Sequence, residues 1–340
     1  MEVIKAAYSS PSNIAIVKYW GKFGEQFPLN PSLSFTLEKS LTEMSIERTS
    51  SKALEIEFYF EDKKNEKFEQ KIIKKLDRFA LQLPWIKESK FIIHSRNTFP
   101  HSTGIASSAS SMSALAMCLV EIDRVINKKD ELNLELASHL SRIGSGSASR
   151  SVFPRAAIWG KTLAHPSSDY HATPFQFELG QDFKNLQDSI LIVSDEEKIV
   201  SSTAGHELMN SHPHKESRIA FANANLDKLI TILKEGDFSA FAEIAEHEAL
   251  DLHAMMMTSS PSFILLSPKS LSIVQEIRKF RSRENVKITF TIDAGPNIHL
   301  LYPLSEKEKV IPFINKLKQD DLFLDVIYDQ IGKGPQRIIS

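Results

Sequence analysis

The sequence predicts an α+β fold rather than a doubly wound sheet, on three observations. Segments with the period-two alternation of strands come in runs, not one per helix. Long helical spacings gather in the second half. Neither fingerprint of the common nucleotide folds is present, since no GxGxxG follows a strand and no GxxxxGK[ST] occurs.

Residues 3–7 and 14–17 read as short strands around a Ser-Ser-Pro-Ser turn. Residues 41–47 and 54–60 alternate apolar and polar positions, as half-buried strands do. The charged run 61–67 reads as an exposed loop, 72–83 has helical spacing, and 91–95 is a further strand. Beyond the loop 97–106, Met112, Leu115, Met117 and Leu119 suit a helix packed along one face. Residues 131–142 form an amphipathic helix that stops at Gly144-Ser145-Gly146. Strands are expected at 156–159 and 189–193, the latter opening a second half. Helices at 216–234, 238–257 and 270–280 precede a β-branched run at 286–292. A strand at 300–302, a helix at 306–319 and a strand at 322–328 complete the chain. At 340 residues two domains are expected, 1–187 and 188–340.

Composition removes several functions. The 42% apolar and 25% charged residues are ordinary for a soluble globular protein. A net charge of −2 offers no bulk attraction for nucleic acid or a membrane surface, so neither is an expected partner and any anion must be held by local groups. MEVIKAAYSS lacks the apolar core of a leader peptide, and the apolar stretch 114–120 is too short for a membrane span. A cytoplasmic location is the expectation. Cys118, the single cysteine, excludes an intrachain disulfide and suits a buried thiol. Without HExxH or CxxC, no zinc or di-iron site is expected.

Five segments carry polar groups suited to chemistry. NTFPHSTGIASSASSMSALA (97–116) is a glycine-bearing loop entering a helix rich in small residues, which offers unpaired N–H groups and a positive dipole end to an anion. A closely packed small-residue helix start is the alternative. Val17-Lys18-Tyr19-Trp20-Gly21-Lys22 places two cations and two aromatics at a strand end, with Lys18, Trp20 and Lys22 on one face if the strand continues. An exposed strand end with Trp20 packed beneath is equally open. In Gly144–Ser151, Gly-Ser-Gly-Ser-Ala-Ser-Arg-Ser, two glycines allow an N–H nest and Arg150 a bidentate grip on a carboxylate or phosphate; a flexible surface loop is the alternative. Ser201-Ser202-Thr203 offers hydroxyls to an anion or caps a helix. Asp293, after a hydrophobic strand, accepts a proton or orients a hydroxyl, or else caps the following turn.

Read together, these segments resemble the diphosphomevalonate decarboxylases, a branch of the GHMP small-molecule kinase superfamily. The matching blocks are NIAIVKYWGK (13–22), NPSLSFTL (30–37), FPHSTGIASSAS (99–110), GSGSASRS (144–151), SSTAG (201–205), DAGPN (293–297) and GKGPQ (332–336). The resemblance implies a GHMP-kinase-like fold of two α+β halves, the first like domain 2 of ribosomal protein S5, with the active site between them. It implies ATP and Mg²⁺ as cofactors, (R)-5-diphosphomevalonate as substrate, isopentenyl diphosphate as product, and a homodimer. Under it Asp293, Lys22 and Arg150 are catalytic: Asp293 orients or deprotonates the 3-hydroxyl, Lys22 lies by the transferring phosphoryl group, and Arg150 holds the carboxylate. Tyr19, Trp20, Gly21, Lys22, Ser145, Gly146, Ser147, Ala148, Ser149, Arg150, Ser202 and Thr203 would surround the substrate. Ser102, Gly104, Ala106, Ser107, Ser108 and Ser110 would hold the nucleotide, with Ser108 on Mg²⁺.

The chain departs from the family pattern in places. Ser149 stands where Cys is usual, Phe153-Pro154-Arg155 replaces an aromatic-Gly-Gly run, and His206 replaces a common Met. The family's diphosphate-contacting arginine has no match near 60–70, where Lys63, Lys64 and Lys67 are the unassigned candidates. A relative acting on the 5-phosphate, or one that only phosphorylates the 3-hydroxyl of mevalonate, is the alternative enzyme. A non-catalytic binding protein is the alternative of another class.

Overall fold

The computed structural model describes residues 2–99, 107–196 and 202–338. Its first sheet has eight strands, in the order β14-β1-β4-β7-β5-β6, with β8 pairing β4 and β9 pairing β8. These are β1 (Ile4–Val17), β4 (Ser32–Ser50), β5 (Glu55–Phe60), β6 (Lys63–Lys64), β7 (Ser89–Asn97), β8 (Ala156–Trp159), β9 (Thr173–Pro174) and β14 (Gln336–Arg337). A small hairpin, β2 (Lys22–Phe23) with β3 (Phe27–Pro28), stands apart. Three helices accompany the sheet: α1 (Glu66–Phe79), α2 (Ser107–Ile126) and α3 (Leu134–Gly144). Asn65 and Asn133 start α1 and α3 by accepting the N–H groups of Phe68 and Leu136.

Two expectations are corrected here. The serine-proline turn at 9–12 is strand: β1 runs unbroken from residue 4 to 17 against β4. Pro11 is tolerated because the register shifts between Pro11 and Asn13, a bulge where a missing N–H costs no ladder bond. Ser10 is buried but satisfied, donating to Ser113 Oγ at 2.6 Å. The other correction is α2, which does not pack along one face. Every residue from Ser113 to Asp123 is buried, so alanines and serines rather than a polar stripe let its neighbours close around it.

The second sheet is antiparallel, in the order β11-β12-β10-β13. Its strands are β10 (Leu186–Ile192), β11 (Thr289–Ile292), β12 (Ile298–Pro303) and β13 (Asp325–Gln330). It is accompanied by α4 (Gln181–Lys184), α5 (Ser202–Leu208), α6 (Lys215–Glu235), α7 (Phe238–Met257), α8 (Pro268–Glu284) and α9 (Lys307–Gln319). Asp237 caps α7, and Ser267 with Ser270 forms a reciprocal cap on α8.

The two halves share a core. Ile14, Ile16 and Val17 of β1 with Leu33 and Phe35 of β4 join one apolar cluster with Ile190, Leu226 and Phe241 from the second half. Asp329 of β13 adds polar ties, accepting the main-chain N–H groups of Glu38, Lys39 and Ser40 at 2.8–2.9 Å. The expected boundary at 187/188 falls inside β10, and β14 brings the chain end back to β1. The GKGPQ segment is part of this return: a Cβ on Gly332 would lie 2.2 Å from Leu37 O, and Arg155 N–H donates to Gly332 O at 2.9 Å. The two halves are thereby joined by shared apolar packing and by main-chain hydrogen bonds.

Candidate active site

A cleft of about 790 Å³ is lined by the segment after β1, the face of α1, the start of α2, the loop after α3, His206 and Asp293. At its floor Lys18 Nζ donates to Asp293 Oδ1 at 2.7 Å. The two residues lie 275 positions apart, and the sequence offers no local reason for them to meet. Lys18 is 2% exposed, and burial lowers its ammonium below the usual lysine range while Asp293 and Glu248 oppose that shift.

Here the structure adds a residue that the sequence reading did not select. Lys22 lines the cleft but makes no ion pair among the described residues; Lys18 is the partner of Asp293. Gly21, at φ +88°, turns the chain after Trp20, which takes Lys22 out of strand alternation and into the β2–β3 hairpin. A usable signal did exist: Lys18 directly follows the apolar run Ile14–Val17, where a strand passes through the core.

Arg150 comes from a 3₁₀ turn, Gly146–Val152, tied to β1 by Asn13, whose Nδ2 donates to Ser147 O and Ser151 Oγ. It is 1% exposed. Its Nε and Nη1 donate to Ser34 Oγ (2.5 Å) and Ser32 Oγ (2.7 Å), and the guanidinium lies 5.8 Å from the Trp159 ring. Among the described residues no carboxylate reaches ion-pair distance of it. Burial pushes it down to about 10, with Asp293 opposing. A guanidinium buried without an anionic partner, on the wall of a cleft, is a site prepared for a carboxylate or phosphate.

Above it, aromatic groups form a stack. The Tyr19 ring lies 4.6 Å from Trp159 and 4.3 Å from His206, and Trp20 lies 4.8 Å from His206. Burial holds the His206 imidazole down at about 3, so it is neutral. Its Nδ1 accepts the Gly21 N–H at 2.9 Å, which assigns the ring proton to Nε2. The Tyr19 hydroxyl is buried with no hydrogen-bond partner among the described residues, and burial raises its pKa, so it remains a donor. Gly205 is required for this stack, because a Cβ there would sit 2.5 Å from the Trp20 ring. His206→Met is therefore expected to raise KM for the anionic substrate several-fold, about the loss of one hydrogen bond, with kcat nearly unchanged. Steady-state kinetics check it; an unchanged KM would remove His206 from ligand binding.

The remaining sequence candidates divide. Ser145, Gly146, Ser147, Trp20, Ser107 and Ser108 line the cleft with Tyr19 and Arg150, and the Ser108 and Ser145 hydroxyls are 3.4 Å apart. Ser110, Ala148 and Ser149 do not line it: Ser110 is bonded to Thr42, Ser149 to Gly146 O, and all three are fully buried. Gly21 contributes through its backbone, packed against Leu29. Ser202 and Thr203 begin α5, but their side chains, with Ser102, Gly104 and Ala106, lie outside the described residues. Lys63, Lys64 and Lys67 are exposed and away from the cleft wall; the lysines of that region lining it are Lys71 and Lys75, a helical turn apart on α1. Burial, Arg78 and Lys22 all depress Lys75 below the usual lysine range, the mark of cations gathered with little opposing charge. Beside them the lining is apolar, with Met44, Phe58, Phe60 and Phe68, and Lys71 Nζ lies 5.5 Å from the Phe68 ring.

The described residues include no cluster of three or more His, Cys, Asp and Glu that could hold a metal. No described helix is long and apolar enough to cross a membrane.

Comparison with known proteins shows what the chain is similar to. A sequence model of the diphosphomevalonate decarboxylase-like N-terminal domain matches residues 10–170, and one of the mevalonate 5-diphosphate decarboxylase C-terminal domain matches 189–330. The diphosphomevalonate decarboxylase of Saccharomyces cerevisiae is 29% identical over 335 residues, covering 93% of this chain and 82% of the relative. The crystal structure of mevalonate diphosphate decarboxylase from Staphylococcus aureus superposes with a TM-score of 0.86 at 28% identity over 99% of both chains. A structure described as MDDEF in complex with MVAPP, AMPPCP and magnesium gives 0.82 at 28% identity over 100% of both. The chain belongs to the diphosphomevalonate decarboxylase family.

Proposed function

We propose that this protein decarboxylates (R)-5-diphosphomevalonate with ATP, giving isopentenyl diphosphate, ADP, phosphate and CO₂. The observation that carries the reading is Arg150, a buried guanidinium without an anionic partner among the described residues, in the same cleft as the Lys18–Asp293 pair. A carboxylate on Arg150 sets the substrate's acid group; the 3-hydroxyl beside it then faces Asp293.

The residues would act as follows. Asp293 orients the 3-hydroxyl and accepts its proton as the oxygen attacks the γ-phosphorus, releasing ADP. Lys18 keeps the carboxylate ionised, and Lys22 offers a cation to the phosphoryl group. The phosphorylated C3 oxygen leaves as phosphate, positive character develops at C3, and the C–C bond to the carboxylate supplies its electron pair to the new double bond as CO₂ departs. Arg150 holds that carboxylate until it leaves. Tyr19, Ser145, Ser147, His206, Lys71 and Lys75 supply neutral and charged donors for the diphosphate. Ser107 and Ser108 are proposed for the nucleotide phosphates, and Ser108 for the Mg²⁺ that would neutralise phosphate charge there. The apolar wall at Phe58 and Phe68 suits the nucleotide base. A homodimer, a cytoplasmic location and a division into halves near residue 187 are part of the same proposal.

The cluster of lysines favours the diphosphate over the monophosphate. The test offers mevalonate, its 5-phosphate and its 5-diphosphate separately with ATP and Mg²⁺, counting ADP, phosphate and CO₂. Equal yields of all three from the diphosphate alone are expected. ADP without CO₂ would replace decarboxylation by simple phosphorylation.

A further inference from the structure

Lys18 and Asp293 belong to distant parts of the chain, and each lies just past the end of a strand. β1 ends at Val17 and β11 at Ile292. Their main-chain groups have therefore left the sheet ladders, and something else must fix them. For both residues part of that restraint comes from a single helix.

Glu248 of α7 is fully buried. Its Oε2 accepts the Lys18 N–H at 2.9 Å. The same carboxylate is gripped by both terminal nitrogens of Arg218 (2.9 and 2.6 Å) and by Asn225 Nδ2 (2.7 Å), so every lone pair on it is directed. Arg218 Nη2 returns to the Lys18 carbonyl at 3.2 Å, which also accepts from Asn30 Nδ2 at 2.9 Å. A little over one turn along α7, His253 reaches the Asp293 carbonyl through Nε2 at 3.1 Å. That imidazole is 1% exposed and held down at about 4 by burial, so it is neutral and Nε2–H is its donor. The Asp293 carbonyl also accepts the Gly295 N–H at 2.7 Å, which shapes the turn.

We infer that α7 registers the reacting pair, with Glu248 and His253 as positioning residues that hold the main chains of Lys18 and Asp293 from one rigid element. A purely structural contact between α7 and the strands would be served by apolar side chains, without the desolvation of a fully buried ion pair. The polar groups used here are spent on two particular backbone positions, and those two residues make the 2.7 Å contact at the cleft floor. The inference rests on the proposed reaction for its kinetic test alone.

The deciding variant is the double substitution Arg218→Met with Glu248→Met. It removes both charges of the fully buried pair together, keeps the packing, and loosens the Lys18 main chain; Asp251, 26% exposed, also loses its 3.2 Å contact with Arg218 and turns to solvent. It is expected to fold with little change in Tm, to bind ATP and diphosphomevalonate with KM within about threefold, and to lose about tenfold to 100-fold in kcat. His253→Phe is expected to lower kcat similarly, and His253→Gln, which retains an N–H donor, to recover most of it. Glu248→Gln supplies a further readout. The charged groups facing Lys18 are Asp293, Glu248, Arg150 and, at its carbonyl, Arg218. Loss of the Glu248 charge therefore moves the alkaline limb of the kcat profile to lower pH, which a defect in packing alone would not do. Amide hydrogen exchange, which needs no turnover, should accelerate at Lys18 and at 293–295 in the folded variants. A folded double variant with wild-type kcat and unchanged exchange would overturn the inference. Wild-type protein inactive on the diphosphate would refute the proposed reaction instead, leaving the exchange result to decide the role of α7.

Discussion

Asp293→Asn is expected to reduce turnover by about 10³-fold while leaving nucleotide affinity within a few-fold of the unsubstituted protein. The amide keeps the shape of the carboxylate and can accept a hydrogen bond from Lys18, so the cleft floor retains its form. It cannot take a proton from a hydroxyl, and it removes the charge that keeps the buried Lys18 protonated against desolvation. Both consequences act on the same step. Breaking a buried ion pair is costly, but the Asp293 side chain is 31% exposed, so the stability loss should be smaller than the ~3–5 kcal/mol of a fully buried pair. Single-turnover measurement of ADP release, with calorimetric titration of ADP, separates chemistry from binding. Wild-type turnover in this variant would remove Asp293 from the mechanism.

Arg150→Met is expected to cost about 10²–10³-fold in kcat/KM and to leave thermal stability unchanged or raised. The two signs together form the diagnosis. A guanidinium placed for a fold would hold a carboxylate of the protein, and its removal would destabilise. Arg150 instead spends its bonds on the Ser32 and Ser34 hydroxyls and waits, charged but desolvated, beside the cleft. Methionine removes the desolvated charge and fills the same space, so the fold is relieved while the substrate's carboxylate loses its anchor. Thermal melts and steady-state kinetics on one preparation check both halves. A large fall in Tm with unimpaired kcat/KM would make Arg150 a structural residue.

Much of the local structure was legible because local rules decide it. Residues 156–159 and 238–257 read as elements with the bounds observed, and 131–142 stops near the glycines where α3 ends, because period, caps and breakers are encoded within a few residues. The break expected at 9–12 was wrong, since a partner strand and the hydroxyl of Ser113 carry the chain through a segment whose composition alone signals a turn. Lys18 was passed over for Lys22 because alternation gives both the same side, and only Gly21 and the packing around it separate them. Lys71 and Lys75 were missed because a lysine pair on an amphipathic helix carries no mark of the cleft it faces.

By itself, the sequence determined which chemical groups this protein owns and the order in which they occur, because motif and period are properties of neighbouring residues. Tertiary structure decided which of those groups meet. The contact between residue 18 and residue 293, the burial of Arg150 among serines, and the grip of one helix on both strand ends depend on loops closing over hundreds of residues. Such closures are settled by the summed packing of the two halves, which no short window of sequence contains.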